Sequence, residues 1–175
     1  GNRGLLDGQD ARGTHSTATL ARLLRAPTVL VLPVTKTTRS AASFVAGCIH
    51  LEPDLDLAGV VLNRVGGPRH ERVLREAIEG ETGIPVFGAL PRLDDCRILP
   101  DRHLGLVPPQ ERDPALDVPG KLADLVARFI DVDALLERAR RAVPLELPED
   151  LPPTPPFADA VRVGVLRDPA FTFYY

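Results

Sequence analysis

Three uninterrupted apolar stretches constrain this chain more than any other feature. "PTVLVLPV" (27–34), "LAGVVLNRV" (57–65) and "IPVFGALP" (84–91) are each the length of one strand. Alternating polarity would leave one strand face wet, whereas a continuous apolar run implies burial on both faces. Helical periods separate the runs. "RSAASFVAGCIHL" (39–51) reads as one helix. "PRHERVLREAIEGETG" (68–83) reads as another, with Pro68 near its first turn and Gly83 at its stop. Upstream, "STATLARLLRA" (16–26) sets Leu20, Leu23 and Leu24 on one helical face, with Ser16 as the cap. Strands alternating with helices of a dozen residues predict an α/β fold with a parallel sheet and right-handed crossovers.

After the third run, residues 92–117 read as irregular. Leu122, Leu125, Val126 and Phe129 then recur at helical spacing, and Val132, Leu135, Leu136 and Ala139 nearly do. "VPLELPEDLPPTPPF" (143–157) holds too much proline and acid for a regular element and reads as a linker. "VRVGVLRD" (161–168) reads as a fresh strand. At 175 residues and 44% hydrophobic, the chain can build one α/β domain, or one and a piece of a second. A net charge of -3 and few aromatics argue against nucleic acid. No apolar run approaches the roughly 20 residues that span a bilayer. Cys48 and Cys96 fit no metal spacing and read as reduced thiols of a cytoplasmic protein. The chain has no methionine, so it is expected to be an internal segment of a longer protein.

In an open parallel sheet, ligands collect beyond the carboxyl ends of the strands. Three such ends are expected on one edge here. The opening "GNRGLLDG" offers Asp7, the second apolar run offers Asn63 and Arg64, and the third offers Pro91 and the loop after it. Asp7, between glycines, can hold Mg²⁺, orient a substrate, or merely cap a turn. Asn63 carries the carbonyl and amide that read the N6 and N7 edge of adenine, or it simply closes a strand. Ser16 and Thr17 open a helix, as a plain cap or facing an anion. Lys36 and Arg39 in "VTKTTRSAA" hold a phosphate or carboxylate, or sit in a solvated loop. His103 has no partner visible in the sequence, and His15, His50 and His70 suggest no role. There is no GxxxxGKS or GxxxxGKT loop and no Ser-His-Asp or Cys-His arrangement.

"GNRGLLDG", "STATLARLLRAPTVLVL", "TRSAA", "LAGVVLNRVGGPRHERVLREAIE", "GIPVFGALPR" and "LPDRHLGLVPPQE", in this order, resemble the cobyrinic acid a,c-diamide synthase family. "VGVLRDPAFTFYY" resembles the first strand and turn of that family's class I glutamine amidotransferase-like domain. The resemblance implies a three-layer parallel sheet of the P-loop NTPase, dethiobiotin synthetase-like type, here truncated. It divides the chain into the C-terminal part of an ATP-dependent amidoligase domain (1–142), a Pro-rich linker (143–159) and the start of the amidotransferase domain (160–175). It implies ATP and Mg²⁺ as cofactors, a corrinoid substrate, glutamine as ammonia donor and a homodimer.

The same resemblance implies residue roles. Asp7 matches the acid of an EGxxGxxDG motif that serves catalysis beside Mg²⁺. Asn63 and Arg64, with Pro91 and Arg92, match the motifs around the nucleotide base. Arg39, Ser40 and His103 match motifs placed near the substrate. Many relatives carry Asp where Pro33 stands. The family's phosphate-binding loop and its glutaminase Cys and His have no counterpart in these residues, so the segment alone is expected to be inactive. Nickel-sirohydrochlorin a,c-diamide synthase, cobyric acid synthase and a non-amidating partition-type ATPase relative are the alternatives.

Overall fold

The computed structural model describes residues 4–93, 101–102, 105–106, 117–145, 162 and 164–166. The three apolar runs are β1 (Thr28–Pro33), β2 (Leu57–Val65) and β3 (Val86–Pro91). They form one parallel sheet in the order β1-β2-β3, the α/β arrangement expected from their sequence. β2 is central, and its first six residues are all buried, whereas β1 alternates, with Leu30 and Leu32 buried and Val31 56% exposed. The two-faced burial expected of that run is not met because among the described residues β1 stands at the sheet edge. Pairing Leu30 with Val60 and Leu32 with Leu62 aligns one apolar face. α2 (Arg39–Leu51) and α3 (Pro68–Thr82) share its core through Val45, Cys48, Leu74 and Ile78. Leu74 and Ile78 are fully enclosed, and burying each side chain stabilises the fold by about 1.5–3 kcal/mol. The same burial pushes the Cys48 thiol above its ordinary pKa.

Local chemistry sets the helix ends. Pro68 opens α3, and Gly83 closes it at φ 69°, donating its N–H to the Glu79 carbonyl at 2.9 Å. α4 (Val118–Phe129) and α5 (Val132–Arg140) are the two helices expected after residue 117. Asp117 and Asp131 cap them, each accepting a main-chain N–H at 2.9 Å. The pair lies along β3, where Asp131 N–H donates to the Phe87 carbonyl at 2.7 Å and Ile130 bridges Gly88.

Three sequence expectations need correction. α1 spans only Thr17–Leu23, and its leucine face is not core. Leu20, Leu23 and Leu24 are exposed, while Ala18 and Ser16 are buried. A short helix is anchored by its capped end, because seven residues give a narrow apolar stripe little area to bury. Second, the stretch read as irregular contains an antiparallel pair, β4 (Asp101–Arg102) with β5 (Gly105–Leu106). Two-residue strands carry no periodicity that a sequence could reveal. Third, Arg162 and Gly164–Leu166, the described residues of the expected strand 161–168, lie in none. A lone apolar run becomes a strand only by pairing with another. Of the expected linker only residues 143–145 are described, without regular structure; the rest, and most of 160–175, lie outside the described residues. Among the described residues no helix is long and apolar enough to cross a membrane.

Candidate functional site

The parallel order of β1, β2 and β3 sends their carboxyl ends to a common rim. Main-chain bonds hold the ends together there. Val34 N–H donates to the Asn63 carbonyl at 2.9 Å, and Arg92 N–H donates to the Val65 carbonyl at 3.1 Å. Beyond these bonds opens a cavity of about 410 Å³. Lys36, Arg64 and Arg92 line it, together with Thr35, Thr37 and Thr38, and among the described residues no Asp or Glu does. Each cation comes from the end of a different strand.

Two of those cations sit on unusual backbone. Lys36 has φ 57° and Arg64 has φ 66°, in the left-handed region that side chains with a Cβ avoid. Such a conformation costs about 1–2 kcal/mol per residue. It persists only where the surroundings over-determine it, which is commonest at ligand sites. The Thr37 hydroxyl on the same wall is buried and has no hydrogen-bond partner among the described residues. A buried hydroxyl without a partner costs about 1–3 kcal/mol. An anionic ligand with hydrogen-bonding edges would offset both costs. One phosphate or carboxylate about 4 Å from a single cation gains about 4 kcal/mol at an effective dielectric of 20.

The structure brings some expected site residues together and leaves others apart. Arg64 and Arg92 line the cavity. Asn63, half-buried and opposite Pro33, and Pro91, opposite Val65, each stand one position before a lining cation. Neither is itself a lining residue. Arg39 and Ser40, in the first turn of α2, line a separate cavity of about 380 Å³ with Glu81 of α3. Arg39 pairs with Glu81 at 2.7 Å, and both are exposed. An exposed pair of this kind contributes at most about 1 kcal/mol, so an anionic ligand can compete for Arg39.

Asp7 is exposed and lines neither cavity. Its loop is nonetheless fixed. Leu5 and Leu6 pack against the core, and the Leu5 carbonyl accepts Ala18 N–H at 3.0 Å. A Cβ on Gly4 would lie 2.4 Å from the Asp7 carboxylate, so a side chain there would push Asp7 aside. His103 lies outside the described residues. Among the described residues no group of three His, Cys, Asp or Glu side chains could hold a metal ion. The cations and threonines that line the cavity suit an anionic group with hydrogen-bonding edges, and among the described residues no carboxylate lines it to hold a cation.

One rim residue carried no visible signal. His70, the third residue of α3, lines the cavity and bonds to both neighbouring loops. Its partners are main-chain groups, which no side-chain motif records.

Residues 4–97, more than half of the chain, match the family model described as an AAA domain. The chain belongs to that AAA domain family. The relatives are more specific. A cobyrinate a,c-diamide synthase of Magnetococcus marinus is 41% identical over 180 positions, covering 100% of this chain and 38% of the relative. One from Archaeoglobus fulgidus is 39% identical over 176 positions, with the same coverages. A hydrogenobyrinate a,c-diamide synthase of Thermobifida fusca is 47% identical over 146 positions, covering 83% of this chain and 30% of the relative. The resemblance to the cobyrinic acid a,c-diamide synthase family thus holds along the whole chain. The chain spans 38% of the length of the first two relatives. No solved structure matches it.

Proposed function

We propose that this chain is the nucleotide- and substrate-facing part of an ATP-dependent amidoligase that converts the a and c carboxylates of cobyrinic acid to amides. The observation that carries the reading is the cation-lined cavity where three parallel strands end, in a chain similar along its length to synthases of that name. A carboxylate is a poor acyl donor. Its oxygen attacks the γ-phosphorus of ATP, the bond to ADP breaks, and an acyl phosphate forms. Ammonia from glutamine then attacks the acyl carbon and phosphate leaves. Positioned cations stabilise charge on the transferring phosphoryl group.

The residues divide accordingly. Asn63 reads the adenine edge, with Arg64, Pro91 and Arg92 around the base. Asp7 is the catalytic residue, and its carboxylate would hold Mg²⁺, which would neutralise phosphate charge when bound. Arg39, Ser40 and His103 face the corrinoid. Residues 143–159 form the linker, and 160–175 begin the amidotransferase domain that releases ammonia. The protein works in the cytoplasm as a homodimer.

The test uses the full-length protein with ATP, Mg²⁺ and glutamine, offering cobyrinic acid and its metal-free counterpart in parallel. Mass spectrometry should show two successive amidations of at least one of them; absence of any amidated product from both defeats the proposal. Which acid reacts faster decides between the two substrates that the relatives' names specify. Asp7→Asn should lower turnover by at least about 10²-fold while leaving ATP affinity nearly unchanged. Full turnover in that variant would make Asp7 a turn residue only.

A further inference from the structure

The geometry points to His70 as a positioning residue for the cavity, resting on the nucleotide reading just given. Its ring bridges the loops that follow β1 and β2. Gly66 N–H donates to His70 Nδ1 at 3.0 Å. With Nδ1 accepting, the ring proton sits on Nε2, which donates to the Thr37 carbonyl 2.5 Å away. The ladder between β1 and β2 closes with Val34 N–H on the Asn63 carbonyl, and past it the two chains enter separate loops. His70 spans them there.

The anchored groups are the neighbours of the cations. Thr37 follows Lys36, and Gly66 is two residues past Arg64. Lys36, in the loop after β1, and Arg64, next to last in β2, are also the two left-handed residues of the rim, so each needs the backbone beside it held. Gly66 fits the clasp closely, since a Cβ there would lie 3.3 Å from Nδ1. Without the ring, the loop at Lys36 and the end of β2 at Arg64 can return to ordinary backbone angles, and the two cations no longer converge on one ligand. His70 thus acts through Lys36 and Arg64, setting nucleotide affinity rather than performing chemistry.

The experiment compares wild-type full-length enzyme with His70→Ala, His70→Asn and His70→Gln. Asn can still accept from Gly66 N–H, and Gln can still donate towards the Thr37 carbonyl. His70→Ala should raise both the ATP Kd and the KM for ATP about tenfold while kcat changes less than about threefold, with the Asn and Gln variants in between. In the wild type, ¹⁵N NMR of the His70 ring should show the proton on Nε2. An unchanged KM for ATP in His70→Ala overturns the inference, as does a ring protonated on Nδ1 alone. If His70→Ala does not fold, wild-type ATP affinity in both Asn and Gln variants overturns it equally. Wild-type enzyme that fails to bind ATP sinks the nucleotide reading and this inference with it. Wild-type binding beside an indifferent His70→Ala sinks only the clasp.

Discussion

Asp10 organises the loop before α1 by accepting the main-chain N–H groups of Arg12 at 3.0 Å and Thr14 at 3.1 Å. The hydrogen bond from Thr14 is the main reason its carboxyl titrates below the ordinary range. A carboxylate whose folded pKa is depressed stabilises its surroundings above the unfolded pKa. That contribution is lost as pH falls through the folded value. The Arg12 and Thr14 amide resonances should therefore hold steady at neutral pH and shift together only below the ordinary Asp range. Asp10→Asn should abolish that titration. A midpoint at or above the ordinary Asp value would refute the depressed pKa. At this scale the rim was legible in part: Arg64 and Arg92, at strand ends that the apolar runs predict, line the cavity, while Asn63 and Pro91 stand beside them without lining it. His70 was not, because its two partners are backbone groups 4 and 33 residues away. Neither was the left-handed backbone of Lys36 and Arg64, which their residue types disfavour.

The central strand depends on one small residue. Gly59 of β2 lies under the Phe87 ring, and a Cβ there would come within 2.1 Å of it. Both residues are buried inside the sheet layer, so the ring has little room to move. Gly59→Ala should destabilise the fold by about 1–3 kcal/mol, read as a lower urea midpoint at unchanged slope. Gly59→Ala combined with Phe87→Leu should recover part of that loss; no recovery would place the strain elsewhere. A glycine in an apolar run signals a close approach, but nothing local names Phe87 as the neighbour. α1 teaches the converse. Its leucine spacing is genuine helical periodicity, yet Leu23 is 75% exposed, because periodicity gives a face and not what covers it.

At the scale of the whole molecule, α4 and α5 join the sheet through β3. Gly88 permits this, since a Cβ would meet the Phe129 carbonyl at 2.6 Å and Ile130 Cα at 2.9 Å. Those are backbone atoms, so the segment must retreat if a side chain is added. Arg138 also reaches Asp56 at 3.0 Å, but an exposed pair cannot replace the junction. Gly88→Ala should strip hydrogen-exchange protection from α4 and α5 while β1 and β2 keep theirs. Uniform loss across the molecule would mean that the helices and sheet open as one unit.

Local sequence determined the elements and their order: three apolar strands, the helices between them, the proline start and glycine stop of α3, and the Asp caps of α4 and α5. These follow from side-chain period and backbone preference within a few residues. The tertiary structure alone decided which strand ends share a cavity, that Arg39 turns to Glu81 and away from it, and that His70 ties Thr37 to Gly66. Such choices arise from contacts between residues far apart in the chain, where packing overrules the preference of any one segment.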